Sequence, residues 1–243
     1  MADWTVDRFT ELTLAYATPS ELVVDKKERK RRRVLEAAKA RFVAQGYRKT
    51  SVDEIARDAG VGKGTVFLYF GSKPDLLIHT ILFEKAGPGM RLLRQMRSIK
   101  SPIEMVRALF HAAIDTMHEL PLTAKIAGGD HELWTVLDDL GKEVRDLIHN
   151  TQVDRIKALL VPLSTVDDPS LTRVALGINA LLQSAPEIVE QGKLLGLSRE
   201  DQSDVTADIL TAGVLAVLGT DLEGLGTVDF LGFWGIRPEQ VGE

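Results

Sequence analysis

Apolar residues recur at three- and four-residue steps along most of the chain, and no useful stretch alternates in the two-residue rhythm of a strand. From Lys26 to Gln45 the stripe is Val34, Leu35, Ala38, Phe42 and Val43, and Gly46 ends it. Ser51 followed by Glu54 makes a capping box for a short helix carrying Ile55 and Ala59. Gly60 fits the left-handed residue that closes this helix. A second short helix follows, with Val66 and Phe70 on its apolar face. Ser72-Lys73-Pro74-Asp75 opens a fourth helix, with Ser72 as cap and Asp75 as its reciprocal partner. It is expected to run to about Lys85, where Gly87-Pro88-Gly89 interrupts it.

Every later signal is helical. Ser101-Pro102-Ile103-Glu104 is a helix start, and Ile103, Val106, Phe110, Ala113, Met117 and Leu120 repeat behind it until Pro121. Gly128-Gly129-Asp130 separates a short segment from a longer helical region carrying Trp134, Leu137, Leu140, Val144, Leu147, Ile148, Ile156, Leu159 and Leu160. One helix is expected from Asp168 through Gln191, ended by Gly192, and a last one from Ser198 to about Leu218. The tail from Thr220 holds Val228, Phe230, Leu231, Phe233, Trp234 and Ile236, too apolar to be left in water. Upstream, Phe9, Leu12 and Tyr16 have helical spacing before a break at Thr18-Pro19-Ser20, so residues 1–25 read equally as an extra helix or an arm. The fold class is all-α. Residues 1–25 are an N-terminal extension, 26–72 a three-helix helix-turn-helix domain, and 73–243 a larger C-terminal helical domain.

Charge changes the picture. The 243 residues carry a net charge of −5, which taken uniformly argues against a nucleic-acid partner. Between Lys26 and Asp75, however, 14 Lys and Arg face 6 Asp and Glu, giving +8, while residues 1–25 carry −4 and residues 76–243 carry −9. A basic module on an acidic body is the electrostatic footprint of a DNA reader. The chain has no cysteine, hence no disulfide and no thiolate metal site. No run of about 18 uncharged apolar residues marks a membrane span. The first residues carry acids where a signal peptide needs a basic region, so the expected location is the cytoplasm.

The run Ile55-Ala56…Ala59-Gly60-Val61-Gly62-Lys63-Gly64-Thr65-Val66-Phe67-Leu68-Tyr69-Phe70-Gly71-Ser72-Lys73-Pro74-Asp75-Leu76-Leu77 resembles the DNA-binding domain of the TetR family of bacterial transcriptional regulators. The match reaches upstream through Leu35-Glu36-Ala37-Ala38, Phe42, Gly46-Tyr47 and Thr50-Ser51-Val52, covering about Lys26 to Ile81. The resemblance puts Lys63, Gly64 and Thr65 at the start of the recognition helix. It puts Tyr69 and Lys73 on phosphate and Thr50 and Ser51 at the opposite edge of the groove, with Phe67 and Leu68 divided between contact and core. Gly62 stands where the family commonly caps with Ser, and Phe67 where a Tyr is common. A Gly cap costs a few tenths of a kcal/mol.

The resemblance further implies a ligand-responsive regulator, most often a repressor. Such a protein binds a palindromic double-stranded DNA operator as a homodimer and is released by a small-molecule effector. One recognition helix reads too few base pairs, so a two-fold dimer presents two about 34 Å apart. Ala175, Ile178, Leu182, Ile209, Gly213, Ala216 and Val217, small and apolar, are the expected dimer interface. An apolar or amphipathic effector is expected inside the helical body, oriented by His111, His118, Trp134 and Gln183. His111, Asp115 and His118 share a helix face, an arrangement more often a solvent-facing border than a metal site. No nucleophile elbow, phosphate loop, dinucleotide fingerprint or zinc-protease motif occurs. The expectation is no enzyme, no cofactor, no metal and no membrane partner. An activator or architectural factor without effector stays open, and a helical enzyme with a borrowed head lacks a catalytic constellation.

The localised +8 sets the first testable outcome. Binding to any duplex should fall steeply with salt, because the head must displace condensed counterions. A titration of affinity against salt that stays flat would remove the basic module from the interface.

Overall fold

The computed structural model describes residues 6–116, 119–139, 153–154, 156–157, 160–161 and 166–218. Met117, His118, the stretch Leu140–Ile148 and the apolar tail lie outside them. The described residues are helical and contain no strand. The helices are α1 (Val6–Ala17), α2 (Lys26–Gln45), α3 (Val52–Asp58), α4 (Lys63–Tyr69), α5 (Lys73–Met96), α6 (Pro102–Asp115), α7 (Pro121–Ala127), α8 (His131–Asp139), α9 (Asp168–Gln183), α10 (Ala185–Leu194) and α11 (Arg199–Leu218).

The chain divides into two compact units, Met1–Gly89 with Glu119–Leu147, and Met90–His118 with Ile148–Glu243. The first is larger than the expected head. Its core joins Val34, Leu35, Ala38 and Phe42 of α2 to Ile55, Val66 and Phe70, to Leu76, Leu77 and Ile78 of α5, and to Leu122, Leu133, Val136 and Leu137 of α7 and α8. Glu84 of α5 is buried, and its two carboxylate oxygens accept the N–H groups of Leu122 and Thr123 at 3.0 and 2.9 Å. It thereby satisfies donors that the first turn of α7 cannot satisfy itself. Lys39 of α2 stands 3.5 Å from the same carboxylate, so the buried charge has a counterion.

Within the extension Val6–Ala17 form a helix, and it is built in. The buried guanidinium of Arg32 donates to the carbonyls of Ala15 (2.6 Å) and Thr18, the unsatisfied acceptors at the end of α1. Tyr16 is buried edge-on to Phe83, and its hydroxyl donates to His79 Nδ1 at 2.8 Å. Arg31 Nη2 approaches the same nitrogen at 3.2 Å, so the imidazole carries its proton on Nε2. Burial pushes the Tyr16 phenol well above its ordinary range.

In the second unit α6 lies along α11. Met105, Val106, Phe110 and Ile114 are buried there, as are Ala207, Val214 and Leu218. Arg107 pairs with Asp204 and Asp208 at the edge of this contact. The amide of Gln202 lies where a side chain on Gly192 would stand, and it donates to the carbonyl of Ile188. That close approach explains glycine at 192 better than helix termination does.

Three boundaries differ from expectation. Helix α5 does not stop at Lys85 but continues through Gly87-Pro88-Gly89 to Met96. Pro88 removes one helix donor, yet Ala86 and Met90 on either side are buried, and packing holds the helix. The Gly-Pro-Gly signal marks the border between the units instead. The expected helix over Asp168–Gln191 is two, because Pro186 opens a new helix after Ser184. Helix α6 ends at Asp115 rather than near Leu120.

His79 gives this unit a pH dependence. Its folded-state value is lowered from 6.5 to about 3, by burial first and then by Arg31 and Arg8. Between those values the unfolded chain binds the proton and the folded chain does not, so stability present at neutral pH is lost as pH falls from 6.5 towards 3. Asp75, raised by its own burial, acts in the opposite direction at the acidic end. Thermal unfolding followed from about pH 7 to about pH 4 should show stability falling by up to about 1.4 kcal/mol per pH unit for the histidine proton. His79→Gln should flatten that slope; an equal slope in both proteins would assign it elsewhere.

Candidate nucleic-acid interface

Helices α3 and α4 have seven residues each, and local chemistry fixes where each begins. The Ser51–Glu54 capping box is complete: Glu54 N–H donates to Ser51 Oγ at 3.2 Å, and Ser51 N–H to Glu54 Oε2 at 2.9 Å. Gly60, with φ of +64°, reverses the chain after α3, and Val61 N–H closes the turn onto Ala56 O at 2.9 Å. Arg41 of α2 grips α3 from behind, with Nε 2.6 Å from Asp58 and Nη1 3.3 Å from Glu54. These bonds help hold the Asp58 carboxyl below its ordinary range. At Glu54 the Ser51 backbone and side-chain bonds lead and Arg41 adds to them.

The outward side of α4 is the candidate reading surface. Lys63, Gly64, Phe67 and Leu68 are exposed, Leu68 at 77%, while Val66 and Phe70 are buried in the core. Thr65 and Tyr69 are half-buried. Gly62 precedes α4 in extended backbone and makes no side-chain cap. Lys63 Nζ lies 2.7 Å from the Asp53 carboxylate, an exposed pair that leaves the amine on the surface. Ser51 is exposed, with its hydroxyl engaged in the cap. Lys73 rests its ammonium 4.1 Å from the centre of the Tyr47 ring.

Thr50 departs from expectation. It is 1% exposed, its hydroxyl donates to Gly46 O at 2.7 Å, and Gln45 Nε2 reaches it at 3.3 Å. It closes the α2–α3 turn and is not open to phosphate. Cations that the motif does not name are exposed instead: Lys26, Lys27, Arg29, Lys30 and Arg33 along α2, with Arg48 and Lys49 in the turn. The +8 between Lys26 and Asp75 pointed to cations in this segment, but helical spacing alone did not say which would face outward.

The expected ligand and interface residues are dispersed. Trp134 belongs to the first unit, where its indole N–H donates to Ile126 O at 2.8 Å and its ring joins the core. His111 belongs to the second, its two ring nitrogens 2.7 Å from Asp115 and 3.1 Å from Asp204. Gln183 is half-buried at the end of α9. His118 lies outside the described residues. Ala175 and Ile178, expected at a dimer interface, are instead buried within the second unit, and Leu182 is half-buried. Helix α9 turns Leu176, Gly177, Ala180 and Leu181 outward. Ile209, Gly213, Ala216 and Val217 of α11 are exposed. Among the described residues no group of three His, Cys, Asp or Glu is placed to hold a metal, and no helix is long and apolar enough to cross a membrane.

Residues 34–80 match the model for bacterial regulatory proteins of the tetR family. The chain is 30% identical over 173 residues to the HTH-type transcriptional regulator SrpR of Pseudomonas putida, a match covering 71% of this chain and 75% of that one. The chain belongs to the TetR family. A further match, to the HTH-type transcriptional regulator HbdR of Aromatoleum sp. (strain CIB), is 34% identical over 77 residues, 32% of this chain and 34% of that protein. Among solved structures, the transcriptional regulator FadR from Bacillus subtilis in complex with stearoyl-CoA superposes with a TM-score of 0.52. It is 17% identical, with 77% of this chain and 98% of that one covered. This TetR-family protein is a DNA-binding transcriptional regulator, and α3 and α4 are its helix-turn-helix.

The Asp53–Lys63 pair sets an opposed pair of outcomes. Lys63→Ala should weaken operator binding by about 1–3 kcal/mol if the amine reaches a base edge. Asp53→Asn should strengthen it, since it frees the amine and removes an acid beside the groove. A gel-shift titration in which both variants match wild type would take Lys63 out of the interface. Thr65→Ala, tested alongside, should follow Lys63→Ala in direction.

Proposed function

We propose that this protein is a cytoplasmic, ligand-responsive repressor that binds a palindromic operator as a homodimer and leaves it on taking up a small molecule. The observation that carries the reading is the start of α4, where exposed Lys63 and Gly64 and half-buried Thr65 stand on a head of net charge +8. Phosphates would meet the exposed cations of α2 together with Ser51, Tyr69 and Lys73, which position the head, while the start of α4 would read base edges. Residues 26–72, joined by Lys73 at the start of α5, hold this reading surface, and the rest of 73–243 supplies regulation and dimerisation.

A homodimer is supported by helix α11. Val205, Ile209 and Val217 are 58–64% exposed at four- and eight-residue steps, with Gly213 and Ala216 between them. Such a stripe costs free energy in water and suits close helix packing against a second copy. The outward face of α9, with Leu176, Gly177, Ala180 and Leu181, is the adjoining candidate. An apolar or amphipathic effector is supported by the apolar second unit and by the amphipathic ligand that FadR holds on this fold. His111 and Gln183 remain its candidate polar contacts in that unit, with His118 and Trp134 as the further expected ones. An effector shifts the equilibrium by its differential affinity for the two states, typically ~1–3 kcal/mol.

Ile209→Glu and Val217→Glu should convert a dimer into a monomer by light scattering, and weaken operator binding by about tenfold or more, because one head reads half a site. A wild-type monomer that still shifts a palindromic duplex would end the dimer reading. Titrating stearoyl-CoA into the complex tests the effector class; operator affinity unmoved by any apolar or amphipathic compound would favour a regulator without effector.

A further inference from the structure

The turn that leads into the helix-turn-helix is held from outside it. Glu132, in the first turn of α8, sends its carboxylate into residues 46–48, where Oε1 accepts the backbone N–H of Arg48. Oε2 lies 3.1 Å from the place that a Cβ on Gly46 would occupy. Gly46 has φ of +85°, so this position requires glycine for its backbone and also leaves room for the acid. The same carboxylate contributes to the upward shift of the Tyr47 phenol, after that group's own burial, and it attracts Lys73 beside the Tyr47 ring. The neighbourhood is fixed: Lys125 of α7 donates to Val43 O at 3.0 Å, and Leu133 of α8 is buried in the core.

An acid beside Arg48, Lys49 and Lys73 has the wrong sign for a surface that meets phosphate. Its charge alone opposes DNA binding, so any favourable contribution is geometric. The turn it grips continues through buried Thr50 into Ser51, the cap of α3. We propose that Glu132 is a positioning residue for operator binding: by fixing the Arg48 amide it sets where Arg48, Ser51 and Lys73 stand towards phosphate. This inference rests on the DNA-binding reading above. It places one determinant of affinity on α8, more than 60 residues beyond the recognition helix.

Three substitutions separate geometry from charge. Glu132→Gln keeps an oxygen acceptor and removes the charge, Glu132→Ala removes both, and Glu132→Asp keeps the charge but withdraws it by one methylene. If the role is geometric, Glu132→Ala and Glu132→Asp bind operator about three- to tenfold more weakly than wild type, while Glu132→Gln binds equally or more tightly. If the acid acts by charge alone, Glu132→Gln and Glu132→Ala both tighten binding and Glu132→Asp changes nothing, which overturns the proposal. Amide hydrogen exchange at Arg48 is the direct readout, independent of DNA. It should be slow in wild type and Glu132→Gln and at least about tenfold faster in Glu132→Asp. An Arg48 amide that exchanges freely in wild type also overturns the proposal. Should Glu132→Ala not fold, Glu132→Asp carries the comparison. A wild-type protein that shifts no duplex ends the DNA-binding reading, and the inference falls with it.

Discussion

Seven-residue helices do not hold themselves together in water. Below about 12 residues the cost of nucleation exceeds what the few hydrogen bonds return, so α3 and α4 exist only because something else buries them. Ile55, Val66 and Phe70 supply the apolar side of that bargain, and Val34, Leu35 and Phe42 of α2 with Leu76 and Leu77 of α5 receive it. The consequence for function is direct. Core packing orients the exposed edge of α4, and whatever moves α2 or α5 moves Lys63 and Thr65 with them.

Electrostatics is organised around the same core. The head has only a few acids, and most lie against cations: Glu54 and Asp58 on Arg41, Asp53 on Lys63, Glu28 on Arg32. Apart from the exposed Glu36, what remains outward is positive. Inside, the same need for compensation appears as buried pairs, with Glu84 between Lys39 and the start of α7, and His79 kept neutral by burial next to Arg31. A buried charge without such partners would be costly, and these groups each have theirs.

The sequence disclosed most clearly what depends on neighbouring residues. The Ser51–Glu54 box, the Gly60 turn and the stripe of α2 all follow from spacing within about four positions, and the structure contains them. What it did not disclose depends on distant partners. The family resemblance put Thr50 at the edge of the groove, but Gly46 and Gln45 claim its hydroxyl inside the turn. Helix α5 passes Gly87-Pro88-Gly89 because flanking residues find a core, which local propensity cannot anticipate. Ala175 and Ile178 share a face with each other, yet periodicity does not tell whether a face meets its own unit or a second copy. Glu132 carried no signal at all: its partner, the Arg48 amide, is 84 positions away.

The first unit is discontinuous, and this bears on how it comes into being. During synthesis residues 1–89 leave the ribosome well before Leu122, Leu133, Val136 and Leu137, which complete their core. In that interval the surfaces of α2 and α5 that later cover α7 and α8 face water, and so does the carboxylate of Glu84. Closing the unit requires a loop from Gly89 to Glu119 to be brought together, a non-local step that slows folding and prolongs exposure. A truncated chain ending after the helix-turn-helix motif would therefore carry the exposed residues of α4 and still lack the material that sets them in place.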